Sequence, residues 1–200
     1  SFGHISNVRN LILFIKISVT WLHKINRMNS DVLNLKPNRL WTHFSALNAV
    51  TRPSKKEERV MAFMINFGQH LNLDTLQDEV GNIIIKKPAT PGMENRKTVV
   101  LQSHLDMVHQ KNAETDFDFL TQGIQMYVEG DWVKAKGTTL GADNGLGVAA
   151  IMAILESTDI PHPPLEALFT IDEETGMTGA MGLQPNVLTG DILLNLDTEE

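Results

Sequence analysis

From Asn38 onward the chain alternates between two rhythms of apolar and polar residues. In "NRLWTHFSALNAVTRPSKKEERVMAFMINFGQHLNL" apolar residues recur at helical spacing in two runs separated by Arg52-Pro53. Two helices are predicted, and Ser54 with Glu57 has the spacing of a capping box at the start of the second. "GNIIIKK" from Gly81 and "KTVVLQSHLDMV" from Lys97 are β-branched runs bounded by Gly and Pro. Both read as strands, the second buried on both faces up to Gln102. "IQMYVEGDWVKAK" sets Glu-Gly-Asp between aromatic and branched residues, the pattern of a hairpin. "GTTLGADNGLGVAAIMAILES" runs from a glycine-rich turn into small and apolar residues at helical spacing, so a helix packed tightly on a sheet is expected. "LEALFTID" and "DILLNLD" read as two more buried strands, each ending in acid. No internal repeat or low-complexity tract interrupts this order.

Strands alternating with helices from Gly81 predict an α/β fold, a mixed central sheet flanked by helices on both faces. In open sheets of this kind ligands collect beyond the carboxyl ends of the strands. Two hundred residues, 42% hydrophobic and 20% charged, suit one soluble globular domain. The net charge of -7 excludes an electrostatic grip on nucleic acid or an anionic membrane, and favours small molecules, peptides or metal cations as partners. Cysteine is absent, which removes disulfides and thiolate metal sites and fits a reducing cytoplasm. The segment "NLILFIKISVTWLHKINRMN" is broken by Lys16, too short to cross a bilayer and without a small-residue cleavage site, so it reads as non-membrane. Residues 1–28 differ in character from the rest of the chain, and Met28 stands where a start codon is conventional. They read as an upstream extension, with an amphipathic N-terminal helix as the alternative.

The stretch "FTIDEETGMTGAMG" places Asp172, Glu173 and Glu174 in a row at the end of an apolar run. Like charges repel, and burying one costs several kcal/mol unless something positive lies close by. Three further strand ends or turns carry His104 with Asp106, Asp143 and Asp197. Taken singly, each has an ordinary explanation: a lone His at the surface or bonded in the core, Asp143 as a helix N-cap, the glutamates as a solvated strand end. All four lie at one edge of one expected sheet, where a divalent cation removes the repulsion and holds the carboxylates ionised. In an extended segment His104 and Asp106 face the same side, so Asp106 can hold the second imidazole nitrogen of a ligating His104. Glu173 and Glu174 face opposite sides of the chain, which suits one as a ligand and its neighbour as a free base.

These residues carry a family resemblance. "VVLQSHLDMV", "GTTLGADNGLGVAA", "DEETGMTGAMGL" and "DILLNLDTEE" are similar to the motifs of the zinc aminopeptidase and carboxypeptidase clan that includes aminoacylase and peptidase T. More narrowly, "GNIIIKKPATPGMENRKTVVLQSHLDMVHQKN" resembles the bacterial aminoacyl-histidine dipeptidases, also called Xaa-His or cytosol nonspecific dipeptidases. The likeness runs from about Leu40 to the last residue. It implies a zinc-peptidase-like catalytic domain, truncated, over residues 29–200. It implies two divalent ions, zinc or alternatively cobalt or manganese, with His104 and Asp197 on one, Glu174 on the other and Asp143 bridging. Glu173 is then the general base, and the Asp143-Asn144 peptide is expected to be cis. Such a centre cleaves a dipeptide through an activated water, with no serine or cysteine nucleophile.

The family uses one more His far downstream and an inserted lid domain through which it dimerises, and neither is present in these residues. His109 and His162 are weak stand-ins, the latter expected at a loop surface. A chain of this extent is expected to be nearly inactive alone and to expose apolar faces that drive association. Another amide hydrolase of the clan, such as a deacylase of N-acyl amino acids, shares the metal motifs. A non-catalytic module that binds metal or peptide is the alternative from a different class.

Overall fold

The computed structural model describes residues 31–197. The expected extension over residues 1–28 therefore lies outside the described residues. The two helical runs form α1 (Asn38–Asn48) and α2 (Glu58–His70). The strand runs form β2 (Ile83–Lys87) and β3 (Val99–His104), and the hairpin is β4 (Met126–Glu129) with β5 (Trp132–Ala135). Helix α3 (Ala142–Glu156) precedes β6 (Leu165–Thr170); two short helices, α4 (Glu173–Gly176) and α5 (Thr178–Met181), lead to β7 (Ile192–Asn195). A further short strand, β1 (Asp74–Gln77), opens the sheet and has too few apolar residues to signal itself.

The main sheet is mixed, with strand order β1-β2-β6-β3-β7. Strands β3, β6 and β7 run parallel, while β2 is antiparallel to β1 and β6. Side chains alternate between faces at period two. Ile83 and Ile85 of β2, Leu101 of β3, and Ala167 and Phe169 of β6 pack with Val60 and Met64 of α2 and with Val148, Ile151 and Met152 of α3. On the opposite face Ile84, Val100 and Leu168 are covered by Leu183, Val187 and Leu188, from the segment after α5. The hairpin's Met126 joins a second core with Phe44, Met107, Phe117 and Ala149.

Two expectations are corrected. "DILLNLD" was expected as a buried strand, but β7 is an edge strand, with Leu193 62% and Leu194 50% exposed. An apolar run records strand propensity; burial depends on a neighbour, and β7 pairs only with β3 among the described residues. The expected capping box is absent too. Glu57 borders α2 without a side-chain cap bond, and Ser54 Oγ instead donates to Asp106 Oδ2 at 2.8 Å. Partners distant in sequence have taken the polar groups that a local cap would use.

The register sets the site. His104 pairs with Thr170, so β3 and β6 end side by side, and β7 ends beside them just before Asp197. The start of α3 meets the same edge.

Candidate metal centre

His104 closes β3 and is wholly buried, as is Asp106 two residues on. The imidazole Nδ1 lies 3.3 Å from Asp106 Oδ1 and 3.1 Å from the Asp106 carbonyl oxygen. Nε2 faces the other way, 3.2 Å from Asp143 Oδ1, 3.8 Å from Asp197 Oδ2 and 3.9 Å from Glu173 Oε2. Asp106 also accepts from the Glu173 amide at 3.0 Å, the Glu174 amide at 3.2 Å and Ser54 Oγ at 2.8 Å. Burial works against its charge, but the bonds from His104, Glu173 and Ser54 win and hold its pKa down to about 2. One carboxylate thus fixes both the imidazole and the turn bearing the two glutamates.

Asp143 sits where the chain turns into α3, and its peptide bond to Asn144 is cis. Asn144 Nδ2 donates to Asp197 Oδ1 at 2.7 Å and to the Leu196 carbonyl at 3.0 Å, tying the end of β7 to the start of α3. Below this turn lies Arg52, a fully buried guanidinium. It donates to the carbonyls of Leu105, Asp106 and Gly141 and to Asn48 Oδ1, at 2.6–3.2 Å. Burial lowers its pKa to about 10, with Asp106, Asp143 and Glu174 opposing the fall, so it stays a cation. Gly141 has φ +69, and a Cβ there would stand 2.5 Å from Arg52 Nη2. Only glycine satisfies both the left-handed turn and that approach.

Glu173 and Glu174 begin α4 directly after Asp172, whose φ of 52 and ψ of 42 are left-handed. Burial pushes both glutamates upward, and the neighbouring acids add to it: Asp197, Asp106 and Asp143 for Glu173, Asp143 and Glu173 for Glu174. Asp172 turns away, its carboxylate taking the hydroxyls of Thr175 and Thr178.

Ligand atoms fall into two groups that share His104: His104 with Asp143 and Asp197, and His104 with Glu173 and Glu174, each set within 4.8 Å. One imidazole among carboxylates, with no thiolate, is a donor set for divalent zinc, cobalt or manganese. Burial disfavours a charged imidazole, yet the hydrogen bond and charge of Asp106, with Asp197 and Asp143, push His104 up to about 9. A proton on His104 would place positive charge among these acids. A third group, Glu57 with Asp106 and Asp172, is buried throughout. Its carboxylates are engaged by Ser54, Thr175, Thr178 and the amides of Lys55, Asp172, Glu173 and Glu174. That leaves it closed to a cation.

All six predicted positions, His104, Asp106, Asp143, Glu173, Glu174 and Asp197, lie at this one edge. His109 and His162 belong to neither group sharing His104. His109 is exposed and packs edge-on against Phe119 at 5.8 Å. His162, expected at a loop surface, is 4% exposed; its backbone amide donates to Thr90 Oγ1 at 2.9 Å and draws the loop inward. Arg52, Ser54, Glu57 and Asn144 escaped the sequence reading. "RPSKKE" carried a signal, since Ser54 and Glu57 had a spacing that asked for partners.

The model of peptidase family M28 matches residues 82–199. The chain is 50% identical over 171 residues to the cytosol non-specific dipeptidase of Escherichia coli (strain K12), spanning 86% of this chain and 35% of that protein. It superposes on the crystal structure of aminoacylhistidine dipeptidase from Vibrio alginolyticus with a TM-score of 0.83 at 52% identity, covering 85% of this chain and 35% of that one. Aminopeptidase PepT from Bacillus cereus gives a TM-score of 0.69 at 25% identity, over 81% of this chain and 43% of that one. The chain thus spans about a third of the length of the first two relatives.

Proposed function

The chain belongs to peptidase family M28, and from that premise we propose that it carries the metal-holding part of a two-metal dipeptidase, with residues 29–200 the N-terminal part of its catalytic domain. The observation that carries this reading is the convergence of Asp143, Asp197, Glu173 and Glu174 on one buried imidazole. Similarity to a cytosol non-specific dipeptidase and to an aminoacylhistidine dipeptidase supports a dipeptide substrate, Xaa-His or broader, and a cytosolic setting. A homodimer formed through a further domain is part of the same reading.

His104 and Asp197 would hold one cation, Glu174 the other, and Asp143 would reach both. When bound, two divalent ions supply the Lewis acidity that polarises a scissile carbonyl and lowers the pKa of the attacking water. The chain's own residues do the rest. Asp106 accepts from Nδ1 of His104 and so leaves the Nε2 lone pair facing Asp143 and Asp197. Glu173, whose pKa is raised by burial and by neighbouring acids, is suited to take a proton from water and to return it to the leaving amine.

The test is hydrolysis of a panel of dipeptides and N-acyl amino acids by the full-length protein, with zinc, cobalt or manganese supplied. Dipeptide cleavage that drops by at least about 100-fold in Glu173→Ala, with cation binding retained, is expected for the loss of a general base. Turnover of acyl amino acids alone, or a variant as active as the parent, would remove the dipeptidase reading or the role of Glu173.

A further inference from the structure

The two glutamates of the centre stand on a turn that begins with a non-glycine residue in left-handed conformation, Asp172 at φ 52. Such a conformation persists only where its surroundings over-determine it. Three successive amides of this turn point inward and donate to carboxylates. Asp172 N–H donates to Glu57 Oε1 at 3.1 Å, Glu173 N–H to Asp106 Oδ1 at 3.0 Å and Glu174 N–H to Asp106 Oδ2 at 3.2 Å. Asp106 reaches the turn from the end of β3. Glu57 reaches it from the start of α2, a separate element 115 residues away in sequence. Glu57 is 5% exposed and forms no salt bridge with a cation among the described residues. Its other bond, from the Lys55 amide at 2.9 Å, stabilises a second left-handed residue, Lys55 at φ 65. A buried carboxylate that serves two backbone amides beside two left-handed residues sets backbone geometry.

We propose that Glu57 is a positioning residue for the metal centre: its Oε1, by holding the Asp172 amide, sets the direction in which the Glu173 and Glu174 carboxylates leave the turn. The proposal rests on the reading of those glutamates as base and ligand. It goes beyond that reading in assigning the aim of the turn to a residue from another helix that touches neither cation nor substrate. Reach is the property that matters. A side chain of the same length with an acceptor oxygen performs the task whatever its charge, and one methylene less fails it.

The pair Glu57→Gln and Glu57→Asp separates reach from charge. Gln keeps the acceptor at full length, whereas Asp keeps the charge and withdraws the oxygen. Amide hydrogen exchange at Asp172, Glu173 and Glu174 is measured in the cation-free chain. The proposal expects exchange at least tenfold faster in Glu57→Asp, with the central strand β6 unchanged, and parental rates in Glu57→Gln. Titration with cobalt(II), followed by its visible absorption, is the second readout. Parent and Glu57→Gln are expected to take up two equivalents with midpoints within threefold. Glu57→Asp is expected to keep one and to lose affinity for the other by about 10- to 100-fold, the range for losing an outer support of a ligand. A Glu57→Asp variant that matches the parent in exchange overturns the proposal, and so does Glu57→Gln disturbed as much as Glu57→Asp. A parent chain that takes up no cobalt overturns the proposed function instead, while the exchange comparison still decides on Glu57.

Discussion

Strand β6 has a glutamate near its start and two just past its end, and the protein treats them in opposite ways. Glu166 has a side chain only 3% exposed, 3.0 Å from Lys86 Nζ. It also accepts from Thr189 N at 2.8 Å, Thr189 Oγ1 at 2.9 Å and Gly190 N at 2.9 Å. Burial alone would raise its pKa, but Thr189 and Lys86 bring it below the ordinary value. At the other end, Glu173 and Glu174 are pushed upward, with no Lys or Arg in ion-pair contact among the described residues. One end is closed by charges the chain itself provides. The other gathers acids around one imidazole and leaves the balance to a cation from outside, which is the physical difference between a structural ion pair and a metal centre.

The sharpest way to break this comparison is to remove His104, the donor common to both ligand groups. His104→Ala is expected to weaken binding of zinc or cobalt by about 100-fold or more, beyond the 10- to 100-fold typical of losing an outer partner. Calorimetric titration measures it. Glu166→Gln is the matched change at the closed end. It leaves Lys86 and the Thr189 donors partly uncompensated and should cost about 1–3 kcal/mol, kept below the fully buried case because Lys86 is partly exposed to solvent. Denaturant unfolding reports that loss, and cation affinity should stay within twofold. If Glu166→Gln weakens the cation as much as His104→Ala does, the two ends are not independent.

Acidity separates the ends further. His104 is raised to about 9 in the cation-free fold, above its unfolded value of about 6.5. Its contribution to stability is therefore fully present below about pH 6.5 and lost as pH rises through about 9. A cation must displace that proton, so affinity should climb by close to tenfold per pH unit up to about pH 9 and then level off. Titrations in buffers of different ionisation enthalpy, which count released protons, check it. A flat affinity between pH 6 and 8 would show that His104 carries no proton in the free site.

Much of this was legible in the sequence because the signals were local. Continuous β-branched or apolar runs marked β2, β3 and β6, and the positions His104, Asp143, Glu173, Glu174 and Asp197 each followed an apolar run or a glycine turn, where the end of an element can be read. What was not legible depends on partners distant in the chain. Glu57 looked like half of a capping box, yet its acceptor oxygen serves Asp172 across 115 residues. Arg52 looked like the break between two helices, and its carbonyl partners at Leu105, Asp106 and Gly141 have no sequence mark. β1, "DTLQ", is four residues long with a single large apolar side chain, and it exists because β2 offers it a ladder.

The smallest expected effect concerns β7, which has the apolar composition of β6 without its cover. Leu193 aligns with Val100 and so shares the face of Ile84 and Leu168, but it is 62% exposed where Leu168 is 4% exposed. A side chain already in water loses little transfer free energy on substitution, so Leu193→Lys should change the stability of the 200-residue chain by no more than about 0.5 kcal/mol. Leu168→Lys would bury an unpaired charge in the same face and should prevent folding. The consequence of Leu193 lies between molecules, because an exposed apolar edge strand invites pairing with another chain and a lysine there opposes it. Sedimentation velocity over a range of concentrations should find self-association in the parent and a clear shift towards monomer in Leu193→Lys, at unchanged cation affinity. A parent that stays monomeric throughout would mean that the edge of β7 left unpaired among the described residues is not adhesive despite its composition.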